Sequence, residues 1–249
     1  MKKILLLLLN LSVTIGLAQG QSLFDQGKAK YDANNFQEAI TIWLQILETG
    51  EHSAALYHNL GNAYYKQNQI GPSIYYYEKA LQLAPGDSDT LNNLAFAENA
   101  TIDAIEPLPE TIFAKWYKGV SGILSYEGWA VLTVIASLCT VAFFLIYYFG
   151  ISERKKRLFF AGAIVAGIFL LGGLVMAFQT YDDFISDRPA IIFAESTNVK
   201  SEPTVAGEVS FVLHEGTKVQ VLAEDQQWVR IQLVDGKDGW IPSSDLKQL

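Results

Sequence analysis

Side chains able to do catalytic or metal chemistry are sparse in this sequence. The three histidines, His52, His58 and His214, are scattered, and neither an H-E-x-x-H nor a G-x-S-x-G pattern occurs, so the usual zinc-hydrolase and serine-hydrolase constellations are missing. The lone cysteine, Cys139, lies inside a long apolar run, which leaves no disulfide framework and no thiolate metal site. Nothing singles out the two converging carboxylates of a glycosidase, and no glycine-rich segment leads into a helix in the way a phosphate loop requires. Neither an enzyme nor a cofactor is expected. What does recur is amide chemistry. Asp25, Asn59 and Asn93 follow one another at intervals of 34, as do Phe24, His58 and Asn92, with Lys28, Asn62 and Phe96 one turn on. An asparagine carries both an acceptor and donors, so a row of them can hold the backbone amides of an extended peptide. Asn59, Asn62, Asn92, Asn93, His58 and Phe24 are therefore the candidate peptide-binding residues; a solvated face with no ligand is the competing reading.

The interval of 34 also organises the apolar positions. Gly27 pairs with Gly61, Tyr31 with Tyr65, Phe36 with Ile70, Ala39 with Ser73, Ile40 with Ile74, Trp43 with Tyr77 and Leu47 with Leu81. Tyr57, Leu60, Gly61, Tyr64, Ser73, Tyr77, Ala80 and Pro85 follow the pattern W-x2-L-G-x2-Y, A-x3-F-x2-A, P, and the segment resembles the tetratricopeptide repeat, a helix-turn-helix unit. The first copy departs from the pattern at Gln26 and Lys30, and a third copy starts near Ser88 and gives way to Ile102 to Pro109. Gly61 is expected where two helices cross closely, with Tyr64 and Tyr77 on either side. The concave face of such a stack is its usual binding surface. The lysine and arginine clamp with which co-chaperone relatives grip a carboxylate is missing, since Phe24, Ala55 and Asn93 stand in comparable places.

The chain of 249 residues is 50% hydrophobic and only 18% charged, more apolar than an average soluble domain. The excess is concentrated in Ile4 to Leu17, Gly128 to Phe149 and Leu158 to Phe178. Met1-Lys2-Lys3, the first apolar block and Gly16-Leu17-Ala18 read as a secretory signal peptide over residues 1–18, with an uncleaved anchor as the alternative. The other two blocks are each about 21 residues without a charge, or about 31 Å of helix, and read as transmembrane helices over 128–149 and 158–178. Between them, in the loop 150–157, stand Arg154, Lys155, Lys156 and Arg157. Four adjacent cations mark that loop as cytoplasmic, which places both soluble pieces on the outer side. No carboxylate or histidine interrupts either span, as a transport path would need. The linker 106–127 mixes Ile112, Phe113, Trp116, Val120, Ile123 and Leu124 with Lys115 and Lys118, the pattern of an interfacial amphipathic helix or of a plain spacer. A net charge of -8 excludes a nucleic-acid partner, which needs a basic face.

After Arg188 the hydrophobic period changes from 3.6 to 2. Ala190 to Phe193, Val209 to Leu213, Lys218 to Ala223 and Trp228 to Leu233 alternate with turn residues such as Glu215-Gly216 and Asp235-Gly236, predicting a small antiparallel barrel within 179–249. Asn198-Val199-Lys200-Ser201-Glu202-Pro203, Trp228-Val229-Arg230-Ile231 and Gly239-Trp240-Ile241 resemble the bacterial SH3 domain. That resemblance implies binding of cell-wall peptides or protein segments, with Trp228 and Trp240 as the SH3 ligand face; for Trp240, closure of the barrel core is the competing role.

The expected fold class is thus a multidomain membrane protein: an α-helical tetratricopeptide repeat domain (19–105), two transmembrane helices, and a small all-β SH3-like barrel. That order resembles the BatE-like members of the Bat aerotolerance systems of Gram-negative bacteria. The resemblance implies residence in the inner membrane with both soluble domains in the periplasm, and membrane-anchored envelope proteins, among them von Willebrand-type Bat proteins, as partners. Two functions are open: a scaffold that holds partner proteins on its repeats, or a sensor whose SH3 domain binds peptidoglycan.

Overall fold

The computed structural model describes residues 22–249; the expected signal peptide lies outside the described residues. The chain forms two compact units, one running through Pro107 and resuming at Arg188, the other Leu108–Asp187.

The first unit opens with a helical stack: α1 (22–32), α2 (Phe36–Glu48), α3 (Ala54–Lys66), α4 (Ile70–Leu83) and α5 (Ser88–Glu98). Caps set the starts of α3 and α5, where Ser53 and Asp87 accept hydrogen bonds from the backbone N–H groups of Leu56 and Thr90. The tight turns before α2 and α4 use Asn34 and Asn68, both left-handed at φ 62° and 59° and again 34 residues apart. Asparagine tolerates that conformation better than other side-bearing residues. Inside each pair an aromatic ring lies against a glycine: Trp43 against Gly27 and Tyr77 against Gly61. A Cβ on Gly61 would stand 2.5 Å from the Tyr77 ring, so the close crossing read from the sequence is present. Buried Ser73 fixes the same crossing by donating to the Gly61 carbonyl at 2.9 Å.

The second part of this unit is an antiparallel sheet of β1 (Pro189–Ile192), β2 (Ser196–Lys200), β3 (Val209–His214), β4 (Lys218–Asp225), β5 (Trp228–Gln232), β6 (Asp238–Pro242) and β7 (Leu246–Gln248). The strand order is β3-β2-β6-β5-β4-β1-β7. Alternation buries Val199, Val221, Val229, Ile231 and Ile241 on one face, and register shifts at Val199/Lys200 and Val221/Ala223 supply the irregularities at which such a sheet bends.

The two parts share a core. Ile191 of β1 is fully buried in the helical cluster, with Phe193 and Leu249 packed against it, while Ile105 packs into the sheet's own cluster. The helical stack has no sixth helix where a third repeat would continue; residues 99–111 are irregular. The face of α4 left open is covered by the sheet instead. Its Gly71 N–H donates to Glu215 Oε1 at 2.7 Å, Ile74 touches Gly216, Tyr75 meets Phe193 edge-on at 5.5 Å, and Glu78 pairs with Lys218 at 2.5 Å. Those four residues follow the i, i+3, i+4, i+7 spacing of one helical face. With Tyr77 facing α3 and Tyr75 facing the sheet, α4 is buried on both sides, which is why three consecutive tyrosines are all buried.

The second unit holds α6 (Ile112–Ser121), α7 (Tyr126–Phe149) and α8 (Glu153–Ser186). α7 and α8 are long and apolar enough to cross a membrane. They pack along their length, with Phe143 near Phe159 and Thr133 against Gly173, so they run in opposite directions. Of the glycines in α8, Gly162 meets Phe143 and Gly173 meets Thr133, whereas Gly167 and Gly172 face open space. At 34 residues α8 is far longer than a bilayer core requires. Residues 179–186, grouped with the β domain in the sequence, continue this helix, and the sheet starts only at Pro189.

Candidate functional site

Two of the four candidate asparagines, Asn62 and Asn93, meet at one groove. Asn62 on α3 and Asn93 on α5 lie side by side, with Asn93 Nδ2 donating to Asn62 Oδ1 at 2.8 Å. The hydroxyl of buried Tyr77 donates to the same oxygen at 2.7 Å. Burial pushes the Tyr77 phenol well above its ordinary pKa, so it stays protonated and serves as a donor. Asn62 Oδ1 is thereby filled twice, while its amide N–H2 group carries the remaining donors. Around the pair, Tyr31, Tyr65, Lys66 and Phe96 enclose a cavity of about 270 Å³. Phe96 is 65% exposed, an unusual position for a large aromatic side chain that no core needs. The groove therefore offers an aromatic platform, amide groups and one cation, a combination that suits a peptide carrying an apolar side chain and an acidic group.

The other ladder members are placed differently. His58 Nδ1 is hydrogen-bonded to Thr90 Oγ1 at 2.7 Å and its ring lies 6.0 Å from that of Tyr77, so it ties α3 to α5. Asn59 donates to the carbonyl of Ala55 in its own helix at 2.9 Å. Phe24 packs on Trp43, whose indole N–H donates to the Phe24 carbonyl at 3.2 Å. Asn92 is exposed. None of these four lines the groove. Lys66, which does, follows Asn62 by four residues and so shares its helical face; that spacing was the available signal for it.

A second concavity, of about 660 Å³, lies on the sheet between the segment after β2 and the short 3-10 turn Ser243–Asp245. Trp228 forms its floor, and the Lys200 ammonium sits 5.4 Å from the centre of that ring, close enough for a cation–π attraction. The same ammonium donates to the carbonyls of Thr204 and Val205, and across the cavity Asp245 accepts from Thr197 Oγ1 at 2.7 Å. Trp240 is half-buried and pairs in register with Arg230 and Lys200, on the opposite side from Gly239 and Ile241. It does not close the core, because the even alternation of β6 points it the other way. Of the two tryptophans, Trp228 alone lines the cavity. Lys200 lay inside a segment quoted for the SH3 resemblance without being singled out for binding, and the turn Ser243–Asp245 had no distinguishing pattern in the sequence.

Among the described residues, no group of three or more His, Cys, Asp or Glu could hold a metal ion. Residues 54–87 match the family model of the tetratricopeptide repeat, and residues 195–247 match that of the bacterial SH3 domain. Both are non-catalytic interaction modules. No curated protein matches the chain. Among solved structures, an NlpC/P60 family protein from Bacillus cereus ATCC 10987 is similar over 28% of this chain, at 17% identity and a TM-score of 0.22, and the chain spans 23% of that protein's length.

Proposed function

We propose that this protein is a membrane-anchored scaffold of the bacterial envelope, a BatE-like component of a Bat aerotolerance complex, that holds an extended segment of a membrane-anchored partner in the groove of its repeats. The observation that carries the reading is the convergence of Asn62, Asn93 and exposed Phe96 beside Lys66 on one cavity. Arg154 to Arg157, which were expected in a loop and instead form the first turns of α8, support an inner-membrane hairpin with its connection inside and both interaction modules in the periplasm. Von Willebrand-type Bat proteins are the partners this reading favours, and no catalytic step is assigned to the chain. Co-purification of the full-length protein from detergent, with mass spectrometry of what it retains, tests it. Asn93→Ala with Phe96→Ala removes one hydrogen bond worth about 1 kcal/mol and apolar burial worth about 1.5–3 kcal/mol, so recovery of a groove-bound partner should fall on the order of 30-fold or more. Undiminished recovery by the double variant overturns it.

The alternative is a wall sensor, favoured by the cavity at Trp228, where Lys200 and Asp245 offer opposite charges across an aromatic floor. That reading expects isolated sacculi to retain the full chain, and Trp228→Ala to abolish the retention.

A further inference from the structure

The apolar face of α6 points away from its own unit. Ile112, Phe113 and Trp116 are 84%, 85% and 67% exposed, and with Val120 they fall within about 100° of one another around the helix. One flank of that stripe, and the C-terminal end of the helix, are held by protein. Tyr117 Oη donates to Asp183 Oδ2 at 2.5 Å, and the carbonyl of Ser121, the last residue of α6, accepts from the indole N–H of Trp129 at 3.4 Å. Beside these contacts, Tyr126 packs on Tyr181 and Phe184 at 5.6 and 5.1 Å. These contacts pin α6 to the end of the α7–α8 pair where the apolar stretch stops and Asp182 and Asp183 begin. Phe178 and Phe184, which flank Asp182 and Asp183 on α8, are themselves 69% and 61% exposed.

No basic surplus surrounds α6. Lys118 is paired with Glu110, Lys115 also acts on Glu110, and the same unit carries Glu127, Asp182 and Asp183, so carboxylates outnumber the two lysines. We propose that α6 is a lipid-docking surface that inserts Ile112, Phe113 and Trp116 into the headgroup and upper acyl region of the outer leaflet, held by apolar burial and not by attraction to anionic lipid. This inference rests on the membrane-anchored reading given above. It makes α6 a fixed collar at the point where the chain leaves the bilayer, oriented by Tyr117 and Trp129.

The full chain, with Cys139→Ser, is reconstituted into phosphatidylcholine vesicles with one spin label introduced at a time, through Phe113→Cys, Lys115→Cys or Leu138→Cys. Collision rates with oxygen and with a water-soluble nickel chelate report depth. A label at 138 that is shielded from the chelate confirms the span. The proposal expects the label at 113 to be shielded from the chelate about tenfold more than the label at 115, in this neutral lipid and unchanged in ~1 M salt, where the Debye length falls to about 3 Å. Equal accessibility at 113 and 115 with 138 shielded overturns the docking surface alone. Release of 113 by salt overturns apolar insertion, and an accessible label at 138 overturns the membrane anchor together with the proposal.

Discussion

Asp103 and His214, 111 residues apart in the chain, are joined by two hydrogen bonds: the carboxylate of Asp103 accepts from the backbone N–H of His214 at 2.7 Å and from its ring Nδ1 at 2.8 Å. Because an ionised carboxylate only accepts, the proton of that ring bond resides on Nδ1. Thr217 Oγ1 adds a third donor at 2.6 Å. One side chain at the tail of the helical stack thus holds the turn between β3 and β4, next to the Glu215 contact with Gly71. The repeats and the sheet are fastened where the helical stack has already ended and β3 gives way to its turn.

Replacing Asp103 by Ala should loosen that fastening. Hydrogen bonds to a charged group are each worth about 1.5–3 kcal/mol, and part of the loss is recovered when water reaches the freed donors. A fall of about 2 kcal/mol in unfolding free energy, read by chemical denaturation of the full chain in detergent, is expected. No change would mean that the junction is held by Ile191 and Tyr75 alone.

The same carboxylate makes stability depend on pH. Burial pushes the Asp103 pKa up, but the hydrogen bonds from Thr217 and His214 outweigh it, and the net shift is downward. A carboxyl whose pKa is lower folded than unfolded contributes stability that is complete above its unfolded value, about 3.9, and is lost as pH falls through the folded value. Acid titration of the melting temperature should therefore show a drop below about pH 4 that is smaller in Asp103→Asn.

Ile191 provides a separate test of the shared core. It is fully buried among helical residues although it belongs to β1, and truncation of a buried Ile to Ala costs about 2–5 kcal/mol. Ile191→Ala should lower the melting of the helical signal and of the tryptophan signal from Trp228 and Trp240 by the same amount, in one transition. Separate transitions would show that the stack and the sheet unfold independently.

The positions that repeat at 34 residues were legible because one constraint, the crossing of two helices, imposes the same residue types each time: Gly27 and Gly61, Trp43 and Tyr77, Asn34 and Asn68. Four of the seven strands, β1, β3, β4 and β5, were legible from alternation, while β2 and β6 lay in segments marked only by the SH3 resemblance and β7 was not read. The union of stack and sheet was not, because it depends on contacts such as Asp103 with His214 and Ile191 with α4, which follow no local period. The one available trace was α4 itself, whose run Ile74 to Tyr77 is buried on more sides than an end helix of a repeat needs. Of the candidate site, Asn62 and Asn93 reach the groove, whereas His58 and Phe24 share their periodicity for reasons of packing. Periodicity alone does not separate a lining residue from a buttress.

Gly61→Leu tests the helix crossing itself. The new Cβ would meet the ring of Tyr77, which is 1% exposed and has nowhere to move. Overpacking of this kind costs about 1–3 kcal/mol, a large share of the 5–15 kcal/mol typical of a native protein. The expected result is a lower melting temperature of the full chain, and an unchanged one would mean that Tyr77 is free to swing out.

Asn62 has two duties that a pair of substitutions can separate. Its Oδ1 accepts from the Tyr77 hydroxyl, which is buried, and from Asn93 Nδ2, which borders the groove. Asn62→Ala removes the acceptor and strands the Tyr77 hydroxyl, and a buried donor without a partner costs about 1–3 kcal/mol. Tyr77→Phe removes that donor and leaves Asn62 Oδ1 paired with Asn93, which should cost about 0.5–1.5 kcal/mol. In the Tyr77→Phe background no hydroxyl remains to be stranded, so Asn62→Ala should then cost less than in the wild type, by about 1 kcal/mol or more. Denaturation of the four proteins gives this coupling directly. Partner recovery should follow a different order, falling with Asn62→Ala in both backgrounds, because the amide N–H2 that the proposed function assigns to the peptide is lost in each, and staying near wild type with Tyr77→Phe alone. If recovery tracked stability across all four, Asn62 would serve only to hold Tyr77, and the amide that grips the peptide would have to be that of Asn93.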